Sequence, residues 1–131
     1  MKRKELVWIE QRDVVAIHDQ LLASYGGRPG LRDEGLLQSA LARPRQHHAY
    51  AQHSDVIAMA ALYTAGIVRN HPFVDGNKRT SLLALYTFLG VNGIDFVVAE
   101  ADAAAMILAL AAGEVSEESL ARWIRDSWPS E

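Results

Sequence analysis

Residues 55–90 read DVIAMAALYTAGIVRNHPFVDGNKRTSLLALYTFLG, and the fold turns on how this stretch is divided. Val56, Met59, Ala60, Tyr63 and Ile67 recur at helical spacing after Asp55, among alanines small enough for close packing. A second helical pattern runs from about Asn77 to Leu89 and stops at Gly90 and Gly93. Between them Pro72 and Gly76 break the period, so the stretch predicts helix, short loop, helix.

Working outward, the pattern stays helical. Val14, Ile17, Leu21, Leu22 and Tyr25 share one helix face that ends at Gly26-Gly27. Asp33 is a candidate N-cap for a helix carrying Leu36, Leu37, Ala40 and Leu41, expected to end before Pro44 and to leave 43–53 as a polar loop. Residues 94–97 form a short extended piece, residues 102–112 an Ala-rich helix, and Ser116 with Glu117 and Glu118 opens a last helix bearing Leu120, Trp123 and Ile124. The fold class is all-α, with residues 1–131 expected to form a single domain.

Composition narrows the function. The 131 residues are 50% hydrophobic and 22% charged, a globular balance. Without cysteine there is no disulfide, thiolate metal site or thiol nucleophile. No apolar run is long enough for a signal peptide or membrane span, so the chain reads as cytoplasmic, with no membrane partner. Net charge is −3, too acidic for a duplex-binding domain, so no direct nucleic-acid contact is expected. The chain carries +3 before Asp95 and −6 from it onward, and all five histidines lie in the first 79 residues. Arg43, Arg45, His47, His48, His53, Arg69, His71, Lys78 and Arg79 suggest a local basic pocket for a small anion, although for His47, His48 and His53 a solvated loop is the preferred reading over ligand contact.

Residues 69–80 break the local rules. Asn77 is a good N-cap, which puts Lys78 and Arg79 in the first turn of the next helix, where cations cost about 0.3–1 kcal/mol each. An anion such as phosphate on the free N–H groups of that turn, enclosed by Lys78 and Arg79, resolves the conflict. His71 can take a proton near neutral pH, and Asp75 can hold Mg²⁺ together with substrate phosphates. Phe73 anchors the loop in the core. Each residue alone suits an ordinary interhelical turn; the combination points to phosphate chemistry. It is not a Walker loop, because the upstream glycine spacing is missing.

His71-Pro72-Phe73-Val74-Asp75-Gly76-Asn77-Lys78-Arg79 resembles the signature of the Fic/Doc (Fido) family, His-x-Phe-x-acid-Ala/Gly-Asn-Gly/Lys-Arg. Within it the chain is similar to the Doc, or death-on-curing, toxins of bacterial toxin–antitoxin pairs. Supporting features are the short chain, Ile17-His18-Asp19, residues 25–30 (YGGRPG), Asp33-Glu34-Gly35, and lysine at 78 where AMP-transferring Fic enzymes have glycine. The resemblance implies a compact bundle of about six helices, with the motif loop capping a central helix. It implies His71 as catalytic base and Asp75 as Mg²⁺ ligand. Gly76, Asn77, Lys78 and Arg79 would form the phosphate cradle, with Arg69 near the phosphates.

By the same resemblance the chain is an ATP-dependent transferase that moves the γ-phosphate of ATP to a threonine of elongation factor Tu and stops translation. AMP transfer is the alternative, since Pro72 and Gly76 are Fic-like choices; a catalytically silent antitoxin-binding module is a further one. The self-inhibitory pattern Ser/Thr-x-x-x-Glu-Gly/Asn is missing, so inhibition is expected from an antitoxin whose disordered tail folds on the toxin. The apolar helix 55–67 is expected to form one wall of the groove.

Overall fold

A computed structural model describes residues 5–50 and 55–129. It contains six helices: α1 (Gln11–Tyr25), α2 (Glu34–Tyr50), α3 (Val56–Asn70), α4 (Asn77–Val91), α5 (Glu100–Ala111) and α6 (Glu117–Asp126). Local chemistry sets most of the starts. Glu10 and Asp13 close a reciprocal capping box on α1. The Asp33 carboxylate accepts the N–H of Leu36 at 3.0 Å, Asp55 that of Ala58 at 2.8 Å, and Ser116 Oγ that of Ser119 at 3.1 Å.

The axis of the bundle is α3, eleven of whose fifteen residues are buried, so it packs on all sides rather than along one stripe. Helices α2, α4, α5 and α6 surround it, and α1 lies against α4. The α2–α3 crossing is close because Gly66 faces Ala40: a Cβ on Gly66 would sit 3.1 Å from Ala40 Cβ. Trp8, Tyr63 and Phe88 form one aromatic cluster in the core, with Tyr63–Phe88 centroids 4.9 Å apart. Phe96 meets Tyr86, Trp123 and Trp128 in a second, which holds the segment between α4 and α5 against the bundle.

The structure corrects the sequence expectations at several points. Helix α2 does not end before Pro44 but runs to Tyr50, so 43–50 is helix and not loop. A proline inside a helix loses one hydrogen bond and clashes with the preceding turn. Here its ring is buried, and the continued helix gains ion pairs from Arg43 to Glu117 and from Arg45 to Glu10. The Arg45 guanidinium also lies 5.6 Å above Trp8, and His48 meets Trp8 edge-on. His53 lies outside the described residues. Tyr25, expected inward, is 65% exposed, and the buried residues of that face are Val14 and His18. Most of α3 is core, but Ala58, Ala61 and Leu62 on one side of it line a cleft of about 220 Å³ with Ala121 and Glu117 of α6, as expected of a groove wall. Among the described residues the only β pairing is a single antiparallel bridge, Leu31 with Phe73, and no helix is long and apolar enough to cross a membrane.

Candidate active site

Helix α3 ends on His71, whose N–H reaches back to Ile67 O at 3.2 Å while its own backbone turns left-handed at φ 50° and ψ 54°. It is the one non-glycine residue with positive φ among the described residues, a conformation that costs about 1–2 kcal/mol. Arg32 holds it there: Nε donates to His71 O at 2.8 Å and Nη2 to Asn70 O at 3.0 Å, covering carbonyls left open at the end of α3. The chain thus turns sharply, and the His71 side chain stands exposed at a cleft.

The next residues are clamped from two sides. The N–H of Arg32 donates to Pro72 O at 2.7 Å and that of Val74 to Gly30 O at 3.0 Å, the bonds that flank the Leu31–Phe73 bridge. Phe73 is buried, and its own N–H and C=O face away from that bridge. Both are met by one side chain: Asn77 Oδ1 accepts from Phe73 N at 2.9 Å, and Asn77 Nδ2 donates to Phe73 O at 2.9 Å. These two bonds fix the amide orientation, so the second Nδ2 hydrogen faces His71 Nδ1 at 3.2 Å. That contact suits the neutral ring with its proton on Nε2. Asn77 is therefore not the N-cap of α4, a correction to the expectation. Gly76, at φ 79°, takes that place, and Asn77 is the first helical residue, with its side chain turned back into the loop.

Asp75 is held as firmly. Its Oδ1 accepts from Gly76 N at 2.9 Å and its Oδ2 from Arg28 N at 3.1 Å. These main-chain donors, Arg28 first, hold its carboxyl below the ordinary value of 3.8, so the group is an anion at neutral pH. Gly27 makes room: at φ 119°, a Cβ there would stand 3.1 Å from Asp75 Oδ2 and 3.0 Å from Leu22 Cδ2. From below, His18 Nε2 donates to Asp75 O at 2.7 Å, and its ring stacks on Phe73 at 3.9 Å and 11°.

Val68, His71, Asp75, Gly76, Asn77, Lys78, Arg79 and Ala111 line one cleft of about 370 Å³. In α4, Thr80 N is the first amide to bond backwards, to Gly76 O at 3.0 Å, so the amides of Asn77, Lys78 and Arg79 precede the helical ladder at the positive end of the dipole. Lys78 and Arg79 are exposed above it, and the Arg79 guanidinium lies 4.4 Å over the Tyr25 ring. The floor is suited to an anion. One ionised carboxylate beside it suits Mg²⁺, which binds through one or two carboxylates, substrate phosphates and water. No group of three metal-ligating side chains occurs among the described residues, so any such ion depends on phosphates and water for its remaining ligands.

Of the residues singled out in the sequence, the structure brings His71, Asp75, Gly76, Asn77, Lys78 and Arg79 together and buries Phe73 beneath them. Arg69 does not line this cleft; its Nη1 donates to Glu117 of α6 at 2.9 Å, and Glu117 also pairs with Arg43. His47 and His48 lie in the last turns of α2, away from the cleft lining. Sequence reasoning missed Arg32, Arg28 and His18 as supports. His18 and Arg28 lie in the stretches that carry the family resemblance, and His18 also breaks the apolar face of α1, but neither signal gave them a supporting role.

Comparison with known proteins gives a consistent picture. The Fic/DOC family profile matches residues 8–89. The chain is 33% identical over 117 residues to Protein kinase doc of Escherichia phage P1, a match covering 89% of this chain and 92% of that protein. It is 43% identical over 75 residues to Toxin Doc of Mycolicibacterium smegmatis (strain ATCC 700084 / mc(2)155), covering 54% and 55% respectively.

Proposed function

The chain belongs to the Fic/DOC family, and from that premise we propose that it is a Doc-like toxin that transfers the γ-phosphate of ATP to a hydroxyl of a translation factor. The observation that carries the proposal is the convergence, in one cleft, of an exposed imidazole, an ionised carboxylate and the free amides of a helix start. Phosphoryl transfer asks mainly for positioning and charge neutralisation, which such a set supplies.

In this mechanism the β- and γ-phosphates rest on the amides of Asn77, Lys78 and Arg79, with the Lys78 and Arg79 side chains closing over them. Asp75 would hold Mg²⁺, which when bound would supply charge neutralisation on the phosphate oxygens. His71 takes the proton of the attacking hydroxyl. The hydroxyl oxygen bonds to the γ-phosphorus, the bond to the β–γ bridging oxygen breaks, and ADP leaves with the electron pair. Proton uptake at Nε2 requires the ring's resting proton on Nδ1, where it opposes the Asn77 amide. That tautomer replaces the 3.2 Å hydrogen bond from Asn77 with two opposed N–H donors, at about 1–3 kcal/mol. Arg69 reaches a phosphate only by leaving Glu117. A threonine of elongation factor Tu is the proposed acceptor, and an antitoxin with a tail that folds on the toxin is the proposed inhibitor, in keeping with a relative named as a toxin.

The test uses the purified protein, Mg²⁺, elongation factor Tu and ATP labelled at the α or the γ phosphate. Label from γ alone, lost in His71→Ala, is the expected result. Label from α identifies AMP transfer instead. Growth arrest by His71→Ala equal to that by the native chain refutes the catalytic reading and leaves a binding module. No label from either position refutes elongation factor Tu as the acceptor.

A further inference from the structure

His18 is the one buried histidine among the described residues, 2% exposed, and it takes no part in the proposed proton or phosphoryl transfer. It projects from α1 and grips the loop at two points, stacking flat on Phe73 and reaching Asp75 O at 2.7 Å. A carbonyl oxygen only accepts, so Nε2 carries the hydrogen. The ring passes close to the start of α4 as well, 3.6–3.7 Å from where a Cβ on Gly76 would stand.

The consequence follows from peptide geometry. The carbonyl of Asp75 and the N–H of Gly76 belong to one planar trans unit and point to opposite sides of it. His18 holds the carbonyl side, and the N–H side donates to Asp75 Oδ1 at 2.9 Å. Fixing one end of the plane fixes the other, and with Arg28 N on Oδ2 this locks the direction of the carboxylate. Buried partners that orient a ligating group commonly contribute 10–100-fold to metal affinity.

We infer that His18 is a positioning residue: through the 75–76 peptide plane it aims the Asp75 carboxylate at the divalent cation of the nucleotide. The cation part rests on the reading of Asp75 under Proposed function; the peptide-plane part does not. Two variants separate donor from packing. His18→Phe keeps a ring for Phe73 and removes the N–H; His18→Gln loses the ring but places an amide N–H close to the position of Nε2.

Amide hydrogen exchange at Gly76 is read in the nucleotide-free protein, and Mn²⁺ binding in the presence of ATP is read by electron paramagnetic resonance, with thermal unfolding of each variant alongside. In His18→Phe the Gly76 amide exchanges about tenfold faster and Mn²⁺ binds about tenfold more weakly, and His18→Gln restores most of both. Exchange at the native rate in His18→Phe overturns the inference. So does equal acceleration in the two variants, which makes the ring's packing the sole cause. Asp75→Asn is the control for the underlying reading: native Mn²⁺ affinity in that variant removes the cation role, while the Gly76 exchange result still decides whether His18 sets the plane.

Discussion

Replacing Asn77 by alanine tests the central structural argument. Its side chain serves both the N–H and the C=O of Phe73, each at 2.9 Å, and Phe73 is 1% exposed. The bridge to Leu31 cannot take over, because its flanking bonds run from Arg32 to Pro72 and from Val74 to Gly30. Truncation therefore strands two main-chain polar groups, at about 1–3 kcal/mol each. Entry of water from the adjoining cleft offsets part of that, so the expected loss is about 3 kcal/mol. For a chain of this size 1 kcal/mol corresponds to about 4 °C, giving a Tm roughly 12 °C lower. Thermal unfolding by circular dichroism, with urea unfolding at about 25 °C as a check, reads the effect. Asn77→Asp keeps an acceptor for the Phe73 N–H but turns its second oxygen against the Phe73 carbonyl, so it recovers little. A Tm within about 3 °C of the native value in Asn77→Ala refutes the reasoning, and transferase activity lost with stability unchanged shows that Asn77 serves the ligand and not the loop.

Three further outcomes follow from the same geometry. Gly66→Ala places a methyl 3.1 Å from Ala40 Cβ and 3.3 Å from its Cα, and overpacking of this kind costs about 1–3 kcal/mol, measured by urea unfolding; an unchanged midpoint contradicts the close α2–α3 crossing. The Asp75 carboxyl is held below its ordinary 3.8, so its stabilisation is complete above that pH and disappears as pH falls through the lower folded value. Stability curves of the native chain and Asp75→Asn therefore converge as pH drops below about 3.8, and a gap independent of pH argues against the main-chain anchoring. If Lys78 fills space required by the α-phosphate pose, Lys78→Gly raises AMP transfer relative to phosphoryl transfer in the labelled-ATP assay; an unchanged ratio removes that account.

The division between sequence and structure follows the range of the forces involved. Periodicity along 56–67 and 77–89, the caps at Asp33, Asp55 and Ser116, and the glycine stops depend on neighbours three or four residues away, so the all-α class could be read directly. The site's place in the chain was legible for a related reason: Pro72 and Gly76, with two cations at a helix start, contradict local preference.

What supports that loop was not legible. His18 meets Asp75 across 57 residues, Arg28 across 47, Arg32 meets His71 across 39, and none of these contacts leaves a periodic trace. Asn77 reads locally as a cap, and only the bridge of Leu31 to Phe73, which turns the Phe73 main chain toward it, redirects its side chain. Helix α2 passes Pro44 with the proline ring buried and Arg45 beyond it paired to Glu10, contacts with residues distant in the chain that no local pattern reveals. Arg69 turns to Glu117 because α6 packs beside α3. Sequence determined which segments are helical and where the chain departs from local rules; tertiary packing decided which groups hold that departure in place, because a hydrogen bond depends on distance in space and not along the chain.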